Sequence, residues 1–267
     1  MITMKNNILG IGFAALLFLS FGAPALGAET AVASSPVPAA EAKSVKCDLD
    51  VRAKALTDFL GQEAEDSEKK AEQELALRQE LLQSVLACAE EEAGKLHASV
   101  EGAKLTDDIV FRKAAALKGL ENARNFYRAQ IEKAGAGTLA ENKNLAKELK
   151  DWRAKTYQPL SEEAGSLVLW GENRELLNVA ETRYKQIGQT IRMLKLIEQE
   201  NIRNRYAESE RNLRRASELN EQARLALRRS AATEDTMQLE RAALDALSAT
   251  YKSFLDLSEE VKKYLPI

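Results

Sequence analysis

The chain has 267 residues, of which 45% are hydrophobic and 30% charged, with a formal net charge of −3. That balance excludes a disordered polyelectrolyte. Thirteen glycines and five prolines make about 7% of the chain against roughly 12% in average usage. So few breakers exclude a turn-rich sandwich, barrel or doubly wound sheet and predict long helices.

Residues 8–28, ILGIGFAALLFLSFGAPALGA, follow Lys5, and no acidic residue precedes Glu29. This is the layout of a secretory signal. Ala23, Ala25 and Gly27 supply small side chains for cleavage between residues 25 and 28 and predict an exported mature chain. The alternative is an uncleaved amino-terminal membrane anchor, the one route by which this reading allows the chain to touch a membrane. Residues 29–46, ETAVASSPVPAAEAKSVK, have no apolar period and read as a disordered linker. The remainder, 47–267, reads as a single helical domain.

From Gln62 to Glu101, Leu75, Leu82, Val85, Ala89, Leu96 and Val100 recur at helical spacing, which predicts one long amphipathic helix. Gly102 ends it, and Thr106 with Asp107 and Asp108 is expected to cap a second helix, whose stripe is Ile109, Ala116, Leu120, Ala123, Tyr127 and Ile131. Gly135 and Gly137 are expected to release that helix through the left-handed conformation. Thr138 and Glu141 form a capping box for a third helix through Leu145, Leu149 and Trp152. Pro159 is expected to push Gln158 out of helical geometry, ending or bending the helix.

From Glu172 to about Ser230 lies the longest periodic stretch. Leu177, Ala180, Tyr184, Ile187, Ile191 and Leu194 keep a coiled-coil spacing, and Ile202 resumes it one residue late, which reads as a stutter. Thr233, Glu234 and Asp235 start a last helix carrying Leu239, Ala243, Leu247, Tyr251, Phe254 and Leu257 toward Pro266. The predicted fold is therefore all-α, an elongated antiparallel bundle or coiled coil of four to five helices. Residues 46–105 hold 14 acidic and 8 basic residues, and 183–229 hold 12 basic and 6 acidic. That complementarity predicts that the first and fourth helices lie side by side.

Candidate chemistry is sparse. His97 is the single histidine, with no second ligand at metal spacing, and Glu90, Glu91 and Glu92 point around a helix rather than converging. No metal, cofactor or catalytic group is assigned. Cys47 and Cys88 are a disulfide candidate in an exported chain. One straight helix would hold them about 60 Å apart against the roughly 7 Å a disulfide allows, so pairing requires a reversal, with the residues after Cys47 partly extended. A covalent dimer through Cys47 and a buried thiol at Cys88 are the competing readings.

Arg211, Arg214, Arg215, Arg228 and Arg229 are a candidate polyanion contact, but Glu208, Glu210, Glu218 and Glu221 interleave with them. Only Tyr206 offers an aromatic, so nucleic acid is not expected as a partner. Leu167, Val168, Leu169 and Trp170, between Gly165 and Gly171, are a candidate membrane or partner contact. Their placement between long helices resembles the tongue of helical pore-forming proteins, although four residues cannot cross a bilayer. The expected function is a non-enzymatic exported scaffold, adaptor or holding chaperone of the cell envelope, acting through a protein partner. The alternatives are a secreted membrane-active protein and a carboxylate-based hydrolase. A homo-oligomer fits equally, because a seam can be completed between chains.

Overall fold

The computed structural model describes residues 47, 49–61, 67–229 and 234–264. The signal and linker expectations, the Thr233 cap and Pro266 lie outside the described residues. Contacts group Val45–Ile267 as one unit. It is an all-α antiparallel helical bundle of seven α-helices among the described residues: α1 Leu49–Leu60, α2 Ser67–Gly102, α3 Val110–Ala136, α4 Leu139–Trp152, α5 Gln158–Met193, α6 Glu200–Arg229 and α7 Glu234–Lys262.

Helices α4 and α5 are one rod. A π-helical turn, Arg153–Tyr157, joins them without a break. Pro159 has no amide hydrogen, so an ordinary turn would leave the carbonyl four residues earlier without its donor. The wider turn accommodates the defect: the Gln158 amide donates to the Arg153 carbonyl, and Gln158 keeps φ −60 and ψ −50. The expected break is thus replaced by a π-turn, and Gln158 stays helical.

Two antiparallel hairpins share this rod. The first, α2–α3, packs with α4 and the start of α5, and the second, α6–α7, packs with the rest of α5. Both hairpins direct one end to the middle of the rod. There Trp170 donates its indole hydrogen to the Asn220 carbonyl of α6 at 3.0 Å, and Asn173 donates to the Glu240 carbonyl of α7 at 2.9 Å.

The periodic stretch 172–230 is not one helix. Lys195 takes φ 55 and ψ 24, and a short 3-10 turn, Leu196–Glu198, reverses the chain before α6. The apparent stutter is a hairpin loop. Because the loop preserves the phase of Ile191 and Ile202, both buried, periodicity alone reads straight through it. Tyr184 and Tyr206 stack at 4.4 Å across the two arms. Gly188 makes room for them: a methyl group there would lie 2.8 Å from the Tyr206 ring carbon that carries its hydroxyl.

Three further expectations are corrected. Helix α2 runs along α3 and α6 along α7, rather than beside each other. Buried leucine and alanine seams with short connections decide the pairing, since exposed ion pairs contribute only about 0–1 kcal/mol each. Thr106 gives α3 no side-chain cap. The N-cap is Ile109, without a cap bond, and Thr106 instead closes a turn through its carbonyl, which accepts from the Ile109 and Val110 amides. Gly137 ends α3 in an extended conformation, φ −79, not a left-handed one. Its carbonyl and that of Gly135 accept from the Gln79 side chain of α2. The capping box at α4 is present, with Thr138 accepting from the Glu141 amide and Glu141 accepting from the Thr138 amide at 2.7 Å.

Candidate functional site: the junction of the two hairpins

Cys47 and Cys88 are joined in a disulfide, with Cα atoms 5.7 Å apart. The reversal that permits it sets α1 against α2, and the residues from Leu49 form a helix where partly extended chain was expected. Leu56 is the buried residue of α1, and Arg52 pairs with Glu80 of α2. The disulfide therefore supplies much of what holds this thinly packed helix in place.

Leu167 and Trp170 are buried at the junction, and Val168 and Leu169 are half-buried. The most apolar segment of the described chain is thus where the hairpins meet the rod. Among the described residues, no helix is long and apolar enough to cross a membrane.

Arg211, Arg214 and Arg215 lie in one exposed stretch of α6, and Arg214 reaches Glu210 at 3.5 Å. Arg228 and Arg229 are about 20 Å further along the helix, with Glu218 and Glu221 between. The five are not brought into one patch. His97 is half-buried, and no group of metal-ligating residues forms among the described residues.

Of the three consecutive glutamates, expected to face solvent, Glu90 and Glu92 act between elements and Glu91 pairs within α2. Glu90 accepts from Arg124 and Arg128 of α3, at 3.2 and 2.6 Å, and Glu91 pairs with Lys95. Glu92 accepts from Arg153 at 3.2 Å and from the Tyr157 hydroxyl at 3.2 Å, both on the π-turn. Arg153 also donates to the Tyr127 hydroxyl at 3.1 Å and stands 4.9 Å over the Tyr157 ring. Phe126 and Trp152 stack beside it at 3.9 Å. Burial pushes the Tyr127 hydroxyl up to about 12 and raises Tyr157 as well, so both stay neutral, Tyr127 accepting from Arg153 and Tyr157 donating to Glu92. The carboxylate and guanidinium occupy each other. This arrangement fastens α2 to the rod and offers no free nucleophile or base.

A second polar layer lies at the junction itself. Ser166 and Asn173 of α5, Asn220 of α6, and Thr236 and Glu240 of α7 are buried. Glu240 is fully enclosed, and neither of its carboxyl oxygens has a hydrogen-bond partner. The Ser166 hydroxyl lies beside the carboxyl without closing a hydrogen bond to it. The side-chain oxygens of Asn173 and Asn220 are also unpartnered. Burial pushes the Glu240 carboxyl up to about 8, and Ser166 and the adjacent Arg241 offset that only in part. A carboxyl in such surroundings is held as the neutral acid. Sequence reasoning passed over it, although stepping back three and then four residues from Ala243 along the α7 stripe lands on Glu240 and Thr236. Beside it, Glu162, Met237, Gln238 and Arg241 line a shallow surface depression.

Fold and site together define an all-α protein in which two helical hairpins share one rod around a buried polar layer. Comparison with protein-family models, curated proteins and solved structures finds no match for this chain.

Proposed function

We propose that this chain is an exported, non-enzymatic helical scaffold, adaptor or holding chaperone of the cell envelope, working through protein–protein contacts. The observation that carries the reading is an apolar row on the outer groove between α5 and α7. Leu176, Val179 and Leu244 are 40–46% exposed. Arg183 stands over the Tyr251 ring across this groove at 5.6 Å. Leu176 precedes Arg183 by seven residues and Leu244 precedes Tyr251 by seven, so the two leucines flank the groove at one level. Such a row suits the apolar face of a partner helix or an extended apolar segment. The clustered ionisable groups, by contrast, are engaged between helices, which leaves surface contact as the supported mode of action.

The test places a photo-crosslinking residue at position 176 or 244 in the native envelope, with Lys147, exposed on α4, as the comparison position. Adducts to a defined protein from 176 and 244 but not 147 support the reading, and their loss in Leu176→Glu with unchanged helicity supports the groove. Absence of adducts from both groove positions overturns it. So does leakage of anionic vesicles by the purified protein, which belongs to the membrane-active alternative. Sequencing the amino terminus of the recovered protein tests export, with the expected start at residues 26–28.

A further inference from the structure

Glu240 occupies a position that the surrounding seam fills with Ala243, Leu247, Phe254 and Leu257, all buried. The Asn173 amide group is spent on the Glu240 backbone carbonyl, and the side-chain oxygens of Asn173 and Asn220 are unpartnered acceptors, which leaves the Ser166 hydroxyl as the donor beside an ionised carboxylate. A neutral carboxyl brings one O–H donor to a layer of surplus acceptors. We propose that Glu240 is a proton-operated latch: as the neutral acid it closes the start of α7 against the shared rod, and loss of its proton loosens the second hairpin at the junction.

The charged groups around the site do not cancel the effect. On α7, Arg241 is the cation whose field reaches the carboxyl, and its residue is exposed. On α5, the side chains in this layer are Ser166 and Asn173. The charged neighbours on that helix are engaged elsewhere: Glu163 with Arg112, Arg174 over the Trp170 ring, and Glu162 with Gln158. On α6, Asn220 faces the layer, and Arg224 is held by Asp108 and Glu221.

The sign follows from where the proton is held. The carboxyl titrates near 8 when buried and in the ordinary carboxylate range when unfolded, so between about pH 5 and 8 folding takes up a proton. Stability therefore falls as pH rises through that window and levels above it, by up to about tenfold in the folding equilibrium per pH unit.

The test compares the full chain with Glu240→Gln, an isostere with an amide donor. Denaturant midpoints are read from pH 5 to 9, with tryptophan fluorescence and hydrogen exchange of 235–250 at each pH. The expected result is a steady loss of stability in the parent that is flattened in the variant. Loss of protection in 235–250 beyond the base-catalysed rise in amide exchange that both proteins share, and a red-shifted tryptophan signal at alkaline pH, are expected only in the parent. Equal pH slopes overturn the proposal, as does alkaline loosening that spares 235–250. Carbon-13 NMR of the glutamate carboxyls in the unmodified protein stands whether or not the variant folds: one carboxyl titrating near 8 is expected, and every carboxyl titrating below 6 overturns it.

Discussion

The two hairpins rest on one rod but are built differently. The α2–α3 hairpin shares a single continuous core with α4 and the front of α5, containing Leu86, Leu120, Tyr127, Tyr157 and Trp170. The Glu92–Arg153 pair and stacked aromatics border it. Ala223 and Leu227 near the end of α6 belong to that same core; the rest of the core under α6–α7 is divided into two smaller clusters, and its seams carry Ser209, Asn220, Thr236, Glu240, Thr250 and Ser253. Ser209, Thr250 and Ser253 donate within their own helices, as Thr250 does to the Ala246 carbonyl at 2.8 Å, and Ser253 also accepts across the hairpin from the Asn212 side chain of α6 at 3.3 Å. The difference predicts, within one helical unit, a firm half and a half that opens at lower free energy. Hydrogen exchange should therefore protect α2 and α3 amides more strongly than those of α6 and α7, and equal protection would remove the distinction.

The largest expected effect comes from the residue both halves use. Trp170→Ala removes a buried ring and its bond to Asn220, at about 3–5 kcal/mol, and should weaken protection in both hairpins. An effect confined to one would show that the junction does not couple them. Reducing the Cys47–Cys88 bond touches the first half alone. It should lower stability by about 2–4 kcal/mol, releasing α1 to exchange while α6 and α7 are unchanged, as measured with and without a thiol reductant. Gly188→Ala forces the Tyr206 ring to move and should cost about 1–3 kcal/mol, seen as faster exchange in α5–α6 around the far loop. Thr138→Ala deletes the capping box at about 1 kcal/mol and should sharpen the contrast least, with fraying limited to the first turn of α4.

The parts of the fold legible in the sequence are those set by local chemistry. The stripe Ala116, Leu120, Ala123 and Tyr127 is buried as its spacing predicts, and Thr138 with Glu141 caps as their separation predicts. The reversal at Lys195 was hidden because a loop that keeps the apolar phase has the same periodicity as a stutter, and a lysine gives no glycine-like signal for a left-handed residue. Charge balance misdirected the helix pairing because it sums over faces that never meet. The site was less legible still. Glu92 reads as one of three surface glutamates until the π-turn brings Arg153 and Tyr157 to it, and Glu240, although it lies on the α7 stripe, is a residue type that a search for apolar seams passes over. In both, a residue type that favours water is fixed by neighbours 61 to 67 positions away in sequence.

The π-turn also acts as a counter of residues. Leu149 and Tyr157, both buried on the same side of the rod, are eight positions apart, where an unbroken α-helix returns to a face after seven. The turn absorbs the surplus residue. A natural or engineered variant lacking one residue between 153 and 157 would keep both hairpins on their present faces. A variant with one residue more would swing everything after it by about 100° around the rod axis, separating Trp170 from Asn220. Length variation there should accordingly be tolerated in one direction only, as a deletion paired with loss of the proline at 159.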